Sequence, residues 1–381
     1  MPRRPALPTM TGFRRGSDVR ADGGTNVRMD GGTNVRMDGG TDVQRSDEAD
    51  ALDTSDARLR GRTVLVTGGA GFIGSHLARR LAANNEVRVL DDLTTGSSTA
   101  VPDDATLIEG DVTDRATVER AMSDVDVVFH QAAVVSVEES VADPSRSHRV
   151  NVDGTLAVLE AARDAEARVV LASSAAVYGD PDSLPVTIDE PMTPQSPYGA
   201  DKVAADAYAR AYEASYGIPV VALRYFNAYG PGQRGPYSGV IEAFLRRAIA
   251  GEPLTVHGDG EQTRDFVHVS DVVRANLAAA TTEHTGTAYN VGTGESVTVN
   301  ELAAIVREET ATDVDVRHEA ARQGDVRHSR AATERARDML GFETRVSLRA
   351  GLVDLINGRD GSASGSTPGP ITRGPRSDDD A

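Results

Sequence analysis

The sequence predicts an α/β fold, in which helices cover both faces of a doubly wound parallel sheet and a smaller lobe occupies the C-terminal third. Between residues 61 and 227, short apolar runs typical of buried strands alternate with helical patterns every ~20–40 residues. The first apolar run leads directly into a glycine-rich turn and a helix, which is how such sheets begin. Beyond residue 227 the alternation weakens and the loops containing Gly and Pro lengthen.

The predicted elements follow one another in a strand–helix order. They are strands at 63–66, 87–90, 106–108, 127–129, 169–172 and 220–225, and helices at 71–83, 114–122, 144–165 and 198–216. Strands separated by helices of this length require crossover connections, and these make the strands parallel.

The two ends of the chain differ in composition from the part between them. Residues 1–60 contain three eight-residue units, RADGGTNV, RMDGGTNV and RMDGGTDV, with almost no apolar side chains to bury. Such a segment cannot offset its own ordering entropy, so we expect residues 1–60 to be a disordered extension and the Gly/Ser/Pro-rich residues 359–381 to be a disordered tail. The folded part then divides into a domain at 61–235 and a lobe formed mainly by 236–358.

Charge and composition exclude several classes of function. The formal net charge is −18, which argues against nucleic acid or an anionic membrane as partner. There is no cysteine, and the eight histidines show no HxH or HExxH spacing, so no metal site is expected. No apolar run approaches the ~18 residues of a membrane span, and we expect a cytoplasmic protein. Abundant Asp and Glu with a single Lys suggests a halophilic, salt-adapted chain.

The glycine-rich turn lies in VLVTGGAGFIGSHLARRL. It matches Gly-x-Gly-x-x-Gly through Gly69, Gly71 and Gly74. It also matches Gly-x-x-Gly-x-x-Gly through Gly68, Gly71 and Gly74. A strand, a tight turn and the bare amides of a helix N-terminus form the Rossmann-type site for a pyrophosphate. Asp91 follows twenty residues after Gly71, where an acid binds a ribose 2′-hydroxyl and repels a 2′-phosphate. The motif therefore predicts NAD rather than NADP.

The second motif contains Lys202, the only lysine among the 381 residues. It ends Tyr198-Gly-Ala-Asp-Lys202, and on a helix this i, i+4 spacing places the tyrosine and lysine side chains on one face. A lysine in a chain that otherwise uses arginine indicates a site where a compact ammonium is needed.

Together with LASSAAVYG, these motifs resemble the extended short-chain dehydrogenase/reductase family, and within it the NAD-dependent sugar-nucleotide epimerases, of which UDP-glucose 4-epimerases are the best-known members. The resemblance runs from about Arg62 to Asn357. Its other strings are GDVTD, HQAA, NVDGT, RYFNAYGP, GDGEQTRDFVHVSD and RQGDVRHS.

The resemblance implies a reaction and a set of roles. A UDP-sugar, either a glucose/galactose or an N-acetylhexosamine derivative, would be oxidised transiently at C4 to a 4-keto sugar and reduced from the other face. Tyr198 would be the acid/base, Lys202 would hold the nicotinamide ribose, and Ser174 would complete the catalytic set. A homodimer is implied as well. The implied cofactor contacts are Gly68, Gly71, Phe72, Ile73, Gly74, Asp91, Asp111, Val112, Gln131, Asn151, Tyr198, Lys202 and Tyr225, and the implied substrate contacts are Ser174, Tyr198, Asn227, Arg264, Arg322 and Asp325.

Four of these positions have a structural alternative. Arg264 and Arg322 could be ordinary surface residues in a chain that contains 39 arginines. Asp111 follows the third strand, where an adenine edge would lie, but an aspartate there also suits a turn or a helix N-cap. Asn151 lies within a predicted helix and could be structural.

Electrostatics sets a condition on Tyr198. A free tyrosine has a pKa of about 10, so a base working near neutrality needs ~4 kcal/mol of stabilisation of its anion. One ammonium about 5 Å away supplies ~3 kcal/mol at an effective dielectric constant near 20. We expect the positive ring of bound NAD⁺ to supply the remainder.

Other reactions of the same family differ at the two residues after Ser174. In the similar 4,6-dehydratases an Asp-Glu pair stands there, and in the decarboxylases a glutamate occupies the second position; here both are alanine, Ala175 and Ala176. This favours epimerisation. A catalytically silent NAD-binding scaffold and an oxidoreductase that releases NADH remain alternatives.

Overall fold

The computed structural model describes residues 54–233, 239–321 and 326–363. Among them, seven strands form one parallel sheet in the order β11-β6-β5-β4-β1-β2-β3, and three further pairs of short strands lie outside it. The strands are β1 (Thr63–Thr67), β2 (Glu86–Asp91), β3 (Ala105–Glu109), β4 (Val127–His130), β5 (Arg168–Ser174), β6 (Val220–Tyr225), β7 (Asn227–Tyr229), β8 (Leu254–His257), β9 (Thr263–Arg264), β10 (Phe266–His268), β11 (Thr287–Val291), β12 (Val297–Thr298) and β13 (Val316–Glu319). The predicted doubly wound parallel sheet is confirmed.

Helices cover both faces of this sheet. The helices in the described part of the chain are α1 (Thr54–Leu59), α2 (Phe72–Ala82), α3 (Arg115–Met122), α4 (Val137–Ala142), α5 (Pro144–His148), α6 (Gly154–Asp164), α7 (Pro197–Tyr216), α8 (Gly239–Ile249), α9 (Val269–Thr281), α10 (Val299–Glu309), α11 (Glu334–Leu340) and α12 (Leu348–Ala363), of which α8, α10 and α12 belong to the smaller layer. Apolar residues of α2 and α9 form the core on one face, and those of α3, α6 and α7 form the core on the other. The central strands between them are mostly apolar because both of their faces are buried.

The strand order places the direction change between β1 and β4. The connection from β1 leads outward through β2 to β3, and β4 then pairs with the opposite side of β1. Ligands of such sheets bind at the carboxyl ends of the strands beside this point. The glycine turn after β1 and the loop after β4 therefore line the expected site.

The helix predicted at 144–165 is interrupted. Its ends agree with α5 and α6, but a π-helical turn at Arg149–Asp153 separates them. Asn151 lies in this turn and its side chain bonds the backbone of Val134. This contact comes from a distant loop, so helical periodicity could not reveal it.

The C-terminal third contributes both to a smaller layer and to the main sheet. Three strand pairs build the smaller layer, β7 with β10, β9 with β12 and β8 with β13. Residues from α8, α10 and α12 form its core. However, β11 pairs with β6 at the edge of the main sheet, so the lobe predicted at 236–358 also supplies that sheet's last strand.

Both segments predicted to be disordered overlap a helix at their inner boundary. Residues 54–59, placed in the extension, form α1, whose Leu59 is buried against the main core. Likewise α12 continues to Ala363, beyond the predicted start of the tail at Arg359. The local sequence of α1 carries little signal, because α1 is held by packing on α9. The repeats and the remaining parts of both ends lie outside the described residues.

Candidate active site

The turn after β1 is built by glycines that have no room for a side chain. Gly68 has a φ of +67°, and a Cβ on it would lie 2.6 Å from the backbone nitrogen of Ala132. A Cβ on Gly74 would lie 2.1 Å from the carbonyl oxygen of Gly68. Gly71 is the N-cap of α2 and offers no side-chain cap, so the first amides of α2, at Phe72 and Ile73, remain available to an anion. The turn thus fits a pyrophosphate.

We expect Gly74→Ala to weaken both folding and NAD binding. The added methyl would overlap the Gly68 carbonyl, and relieving that overlap should cost about 1–3 kcal/mol and displace the turn. Urea unfolding and NAD titration check this. Gly358→Ala is the control, since no atom lies within 4 Å of the added Cβ in α12. Equal stability and NAD affinity in Gly74→Ala and the wild type would contradict the account of the turn.

Asp91 ends β2 and is buried beside this turn. One carboxylate oxygen accepts the backbone N–H of Ala70 at 2.9 Å and the other accepts that of Leu93 at 2.9 Å. Burial raises the pKa of Asp91, while these two hydrogen bonds act against the rise. Each oxygen keeps a further lone pair, so Asp91 can hold the glycine turn and accept ribose hydroxyls together.

The adenine-side candidates lie just beyond β3. Asp111 is exposed, and its Oδ1 accepts the backbone N–H of Thr113 at 2.8 Å, so it forms the turn considered as its alternative role. Val112 is buried against Gly154, where a Cβ would lie 2.8 Å from the valine side chain. Both residues therefore have contacts within the protein, Asp111 in a turn and Val112 in packing against Gly154.

Gln131 and Tyr225 belong to one buried hydrogen-bond cluster with Asn276 of α9. The Gln131 amide donates to the Tyr225 hydroxyl at 3.2 Å and to Asn276 Oδ1 at 3.1 Å, and the Asn276 amide donates to the Tyr225 hydroxyl at 2.8 Å. Burial raises the pKa of Tyr225 to about 12. This tyrosine therefore stays neutral. Asn276 lies in no recognised motif, so it could not be singled out from the sequence.

The side-chain amide of Asn151 forms its hydrogen bonds with other groups of the protein. Its Oδ1 accepts the Val134 backbone N–H at 2.8 Å, and its amide donates to the Val134 carbonyl at 3.0 Å and to Ser147 Oγ at 3.3 Å. These bonds fix the loop after β4 at the edge of the site. The contacts thus support the structural role, through which Asn151 shapes the cofactor site indirectly.

A buried histidine beneath the site went unnoticed in the sequence. His130, at the end of β4, lies between the hydroxyls of Thr67, at 2.6 Å from Nδ1, and Thr155, at 3.0 Å from Nε2. The Thr155 hydroxyl donates to the Asn151 carbonyl, so it accepts from His130 Nε2–H, and Nδ1 accepts from Thr67. Burial, with a smaller effect of the Lys202 charge, lowers the pKa of His130 to about 3.

His130 should make the protein less stable in mild acid. Its pKa is lower in the folded chain than the usual 6.5, so the unfolded chain binds a proton that the folded chain refuses as the pH falls below about 6.5. At pH 5 this costs roughly 2 kcal/mol of the free energy of unfolding.

Urea unfolding at pH 8 and pH 5 measures this term. We expect His130→Gln to lose less stability than the wild type between these two pH values, because the group that titrates has been removed. His284→Gln, at an exposed position, is the control and should keep the wild-type difference. The same pH dependence in His130→Gln and the wild type would refute the assignment.

The three predicted catalytic residues converge at the carboxyl end of β5. Ser174 ends β5 and caps the turn Ala175–Val177, and its hydroxyl lies near the Tyr198 side chain, where it acts to lower the pKa of the phenol. Lys202, buried to 5% exposure, donates to the Ala172 carbonyl at 2.9 Å, with its ammonium 6.0 Å from the centre of the Tyr198 ring. The structure thus brings Ser174, Tyr198 and Lys202 together.

Helix α7 reaches this position because its first turn is tightly fitted. Ser196 caps it by accepting the Gly199 N–H, and Pro197 follows at the first helical position. A Cβ on Gly199 would lie 2.8 Å from the Ala176 carbonyl oxygen, so only glycine lets the helix approach the turn after Ser174 this closely. The Tyr198 N–H donates to Ser140 Oγ at 3.1 Å.

The electrostatics of the pair depends on burial more than the sequence estimate allowed. Burial raises the pKa of Tyr198, and the nearby Ser174 hydroxyl only partly offsets this. Burial also lowers the pKa of Lys202 to about 8. The protein groups alone therefore keep Tyr198 neutral near pH 7, and its ionisation needs a further positive charge.

Beneath the catalytic residues, a buried ion pair joins α7 to β6. Arg224 Nε and Nη2 donate to the two carboxylate oxygens of Asp206 at 3.0 and 3.1 Å, and Ser173 Oγ donates to the same carboxylate at 3.1 Å. Arg224 Nη1 donates to the Tyr178 hydroxyl at 2.9 Å. Asp206 is one turn after Lys202, so the pair fixes the catalytic helix on the sheet.

Two of the four further substrate candidates lie within the described residues, and two do not. The Asn227 backbone and side-chain nitrogens, two residues after Tyr225, both donate to the Asp265 carbonyl, at 3.0 and 3.1 Å. Arg264 lines a cavity of about 260 Å³ together with Thr293, Glu295 and Arg345. Arg345 was not singled out from the sequence. Arg322 and Asp325 lie outside the described residues.

The described residues contain neither a metal-binding cluster nor a membrane-spanning helix. Within 54–233, 239–321 and 326–363, no three His, Cys, Asp or Glu side chains are grouped to hold a metal ion. In the same part of the chain, no helix combines the length and apolar character needed to cross a membrane.

Known proteins provide an independent comparison. The model of the NAD dependent epimerase/dehydratase family matches residues 64–292. A putative UDP-glucose 4-epimerase of Methanocaldococcus jannaschii is 38% identical over 300 residues, covering 77% of this chain and 97% of that protein. UDP-glucuronic acid decarboxylase 2 of Arabidopsis thaliana is 34% identical over 303 residues, covering 78% of this chain and 68% of that protein.

A solved structure agrees. The UDP-N-acetylglucosamine 4-epimerase of Methanobrevibacter ruminantium, in complex with UDP-N-acetylmuramic acid, has a TM-score of 0.77 and 35% identity, covering 80% of this chain and 99% of that one. The residues matched by the family model, 64–292, include the glycine turn, Asp91 and the three converging side chains. The chain belongs to the NAD dependent epimerase/dehydratase family.

Proposed function

We propose that this protein is a UDP-sugar 4-epimerase, with UDP-glucose or UDP-N-acetylglucosamine as substrate. The observation that supports it best is the Ser174–Tyr198 hydroxyl pair beside Lys202, followed by alanine at both Ala175 and Ala176. The site thus offers an acid/base and a cation but no carboxylate at the two positions after Ser174. Epimerisation is the family reaction that needs no more.

NAD fits the residues that are present. The glycine turn and the first amides of α2 would hold the pyrophosphate, Asp91 the adenosine ribose and Lys202 the nicotinamide ribose. When bound, NAD supplies reversible oxidation at C4 of the sugar. Asp111, Val112, Gln131, Asn151 and Tyr225 would shape the rest of this site, with Asn151 acting through the loop that it fixes.

Tyr198 would move the proton. It takes the proton of the sugar C4 hydroxyl and later returns it, while Ser174 hydrogen-bonds the same oxygen. Since burial raises the pKa of Tyr198, we propose that the tyrosine becomes a useful base only beside an oxidised, positively charged cofactor. This would tie proton removal to the cofactor state that can complete the reaction.

The diphosphate would lie against arginine side chains. Asn227 begins β7 two residues after Tyr225, and Arg264 ends β9, two residues before β10, the strand that pairs with β7. Arginine suits phosphate because its guanidinium donates two parallel hydrogen bonds. We propose the same role for Arg322, with Asp325 on the nucleotide ribose. The proposed domains, a cofactor domain at 61–235 and a substrate lobe mainly at 236–358, meet between Asn227 and Arg264.

A panel of nucleotide sugars tests the assignment. The purified protein is incubated with UDP-glucose, UDP-N-acetylglucosamine and UDP-glucuronate, and products are separated by chromatography while the NADH absorbance is followed. Formation of a C4 epimer without NADH release supports the proposal. A dehydrated or decarboxylated product, steady NADH release or no turnover would instead favour a sister enzyme, a net oxidoreductase or a silent scaffold.

We also propose a homodimer. Val135, Val137 and Val141, on and before α4, are 58%, 47% and 63% exposed, and α4 packs on the catalytic helix α7. Light scattering should give twice the chain mass. A Val137→Asp/Val141→Asp variant should run as a monomer, and a monomeric wild type would contradict the dimer.

A salt-adapted, cytoplasmic enzyme is the third part of the proposal. With a net charge of −18, the excess Asp and Glu side chains repel one another at low ionic strength. Salt screens this repulsion. We expect the thermal midpoint to rise steadily from 0.1 M to molar KCl. A midpoint indifferent to KCl would remove the salt adaptation, and cell fractionation tests the location.

A further inference from the structure

Tyr198 is the second residue of α7, where a helix cannot satisfy its own amides. Pro197 before it has no N–H. Ser196 accepts the Gly199 N–H with its Oγ at 3.1 Å and the Ala200 N–H with its carbonyl at 2.9 Å. Among the first four residues of α7, the Tyr198 N–H is therefore the donor whose partner comes from another element.

That partner is Ser140 of the short helix α4. Its Oγ lies 3.1 Å from the Tyr198 nitrogen, and the residue is fully buried. The Ser140 hydroxyl donates its own proton to the Val137 carbonyl at 2.7 Å, so its lone pairs remain to accept the amide. A buried N–H without an acceptor is costly, so this bond ties the first turn of α7 to α4.

Ser140 is itself held by the loop that borders the cofactor site. Ser136 caps α4 by accepting the Glu139 N–H at 3.0 Å, and its carbonyl accepts the Ser140 N–H at 3.0 Å. Two residues earlier, the Val134 backbone is bonded to the buried Asn151 side chain. The position of Ser140 is therefore set by the loop after β4 and not by α7.

We propose that Ser140 is a positioning residue of the reaction, which accepts the Tyr198 N–H and thereby fixes the place of the phenol beside Ser174. The inference rests on the proposed function, in which Tyr198 is the acid/base. Ser140 acts through the tyrosine backbone and takes no part in proton transfer. Without this bond the first turn of α7 shifts, which moves the reacting oxygen while the groups that bind NAD stay in place.

Tyrosine labelling tests the anchoring without any substrate. Full-length, NAD-loaded protein containing tyrosine with ¹⁵N in the backbone and ¹³C at Cζ gives NMR signals from nine residues, and Tyr198→Phe identifies those of Tyr198. In Ser140→Ala, amide exchange at Tyr198 should quicken by roughly 3–10-fold, as the loss of one hydrogen bond predicts. Its phenol signal should shift as well. The signals of Tyr208, exposed on the same helix, should stay in place.

Steady-state kinetics then shows whether the anchoring serves the reaction. In Ser140→Ala, kcat for C4 epimerisation should fall roughly 10–100-fold, because displacing a reacting group by about 1 Å costs on this order. KM for the nucleotide sugar and the NAD content should stay within about twofold of the wild type. Ser140→Thr keeps the hydroxyl and should retain most of kcat, although its extra methyl lowers stability. Ser140→Cys, whose sulfur is a weak acceptor, replaces Ser140→Ala if that variant does not fold.

Thr282→Val is the matched control. Thr282 is 9% exposed and its hydroxyl accepts the His284 N–H at 3.0 Å. Its carbonyl accepts a hydrogen bond from Arg168, which begins β5 at the opposite end from Ser174. Loss of this buried hydroxyl should lower stability and leave kcat and the Tyr198 signals unchanged.

The two proposals fail separately. An unmoved Tyr198 phenol signal in Ser140→Ala, or wild-type kcat in that variant, would overturn this inference. Equal losses of kcat in Ser140→Ala and Thr282→Val would overturn it too, since lowered stability would then explain both. Tyr198 signals that move in a protein that epimerises no nucleotide sugar would support the anchoring and contradict the proposed function.

Discussion

Tyr198→Phe should reduce kcat by roughly 10²–10⁴-fold while the protein still binds NAD. In the proposed mechanism the phenol is the acid/base at the C4 hydroxyl, and general acid–base groups contribute about this much. Its ring can be retained by phenylalanine, so the contacts that hold α7 are not lost. Turnover is measured by epimer formation, and bound NAD by extraction and absorbance.

Tyr208→Phe is the matched control for this variant. Tyr208 is on the same helix but 42% exposed on its outer side. We expect wild-type kcat and wild-type NAD content. If Tyr198→Phe turned over as fast as Tyr208→Phe, Tyr198 could not be the acid/base, and the mechanism proposed for this site would be wrong.

Arg224→Met should lower the free energy of unfolding by about 3–5 kcal/mol. Arg224 and Asp206 are 2% and 0% exposed, and the arginine is the main partner of that carboxylate. Removing it leaves the buried Asp206 carboxylate with only the Ser173 hydroxyl and the partly exposed Arg210 as side-chain partners. Urea unfolding of the variant and the wild type measures the loss. The free energy of unfolding should fall with urea concentration at the same slope in both proteins.

Two comparisons show whether burial is the cause. Arg62→Met breaks the ion pair with Asp126, in which both side chains are largely exposed, and should cost under about 1 kcal/mol. The double variant Arg224→Met/Asp206→Leu should recover much of the loss, since no lone charge remains. Equal losses in Arg224→Met and Arg62→Met would contradict the account of this pair.

The main sheet could be predicted because its signals are local. The strand before Gly68, the turn and Asp91 occupy fewer than 30 residues, and each local preference agrees with the fold. The pairs of the smaller layer could not be, because β8 and β13 are two short strands separated by about sixty residues. Helix α1 was missed for a related reason, since it depends on packing against α9.

The candidate site shows the same division. Ser174, Tyr198 and Lys202 came from motif positions, and the structure brings them together. By contrast, the partners of Asn151 and Tyr225 are a loop backbone and a helix residue with no motif, which only the folded chain reveals. The sequence estimate of the Tyr198 charge included the lysine but not desolvation, and burial reverses its direction.

The retention of isotope at C4 tests the central claim most directly. UDP-glucose carrying deuterium at C4 is incubated with the NAD-loaded protein in ordinary water, and the C4 epimer is examined by mass spectrometry and NMR. The account predicts that the product keeps the deuterium at C4 while no NADH accumulates. Exchange of the label with water, net NADH formation, or loss of water or of C6 from the sugar would contradict it.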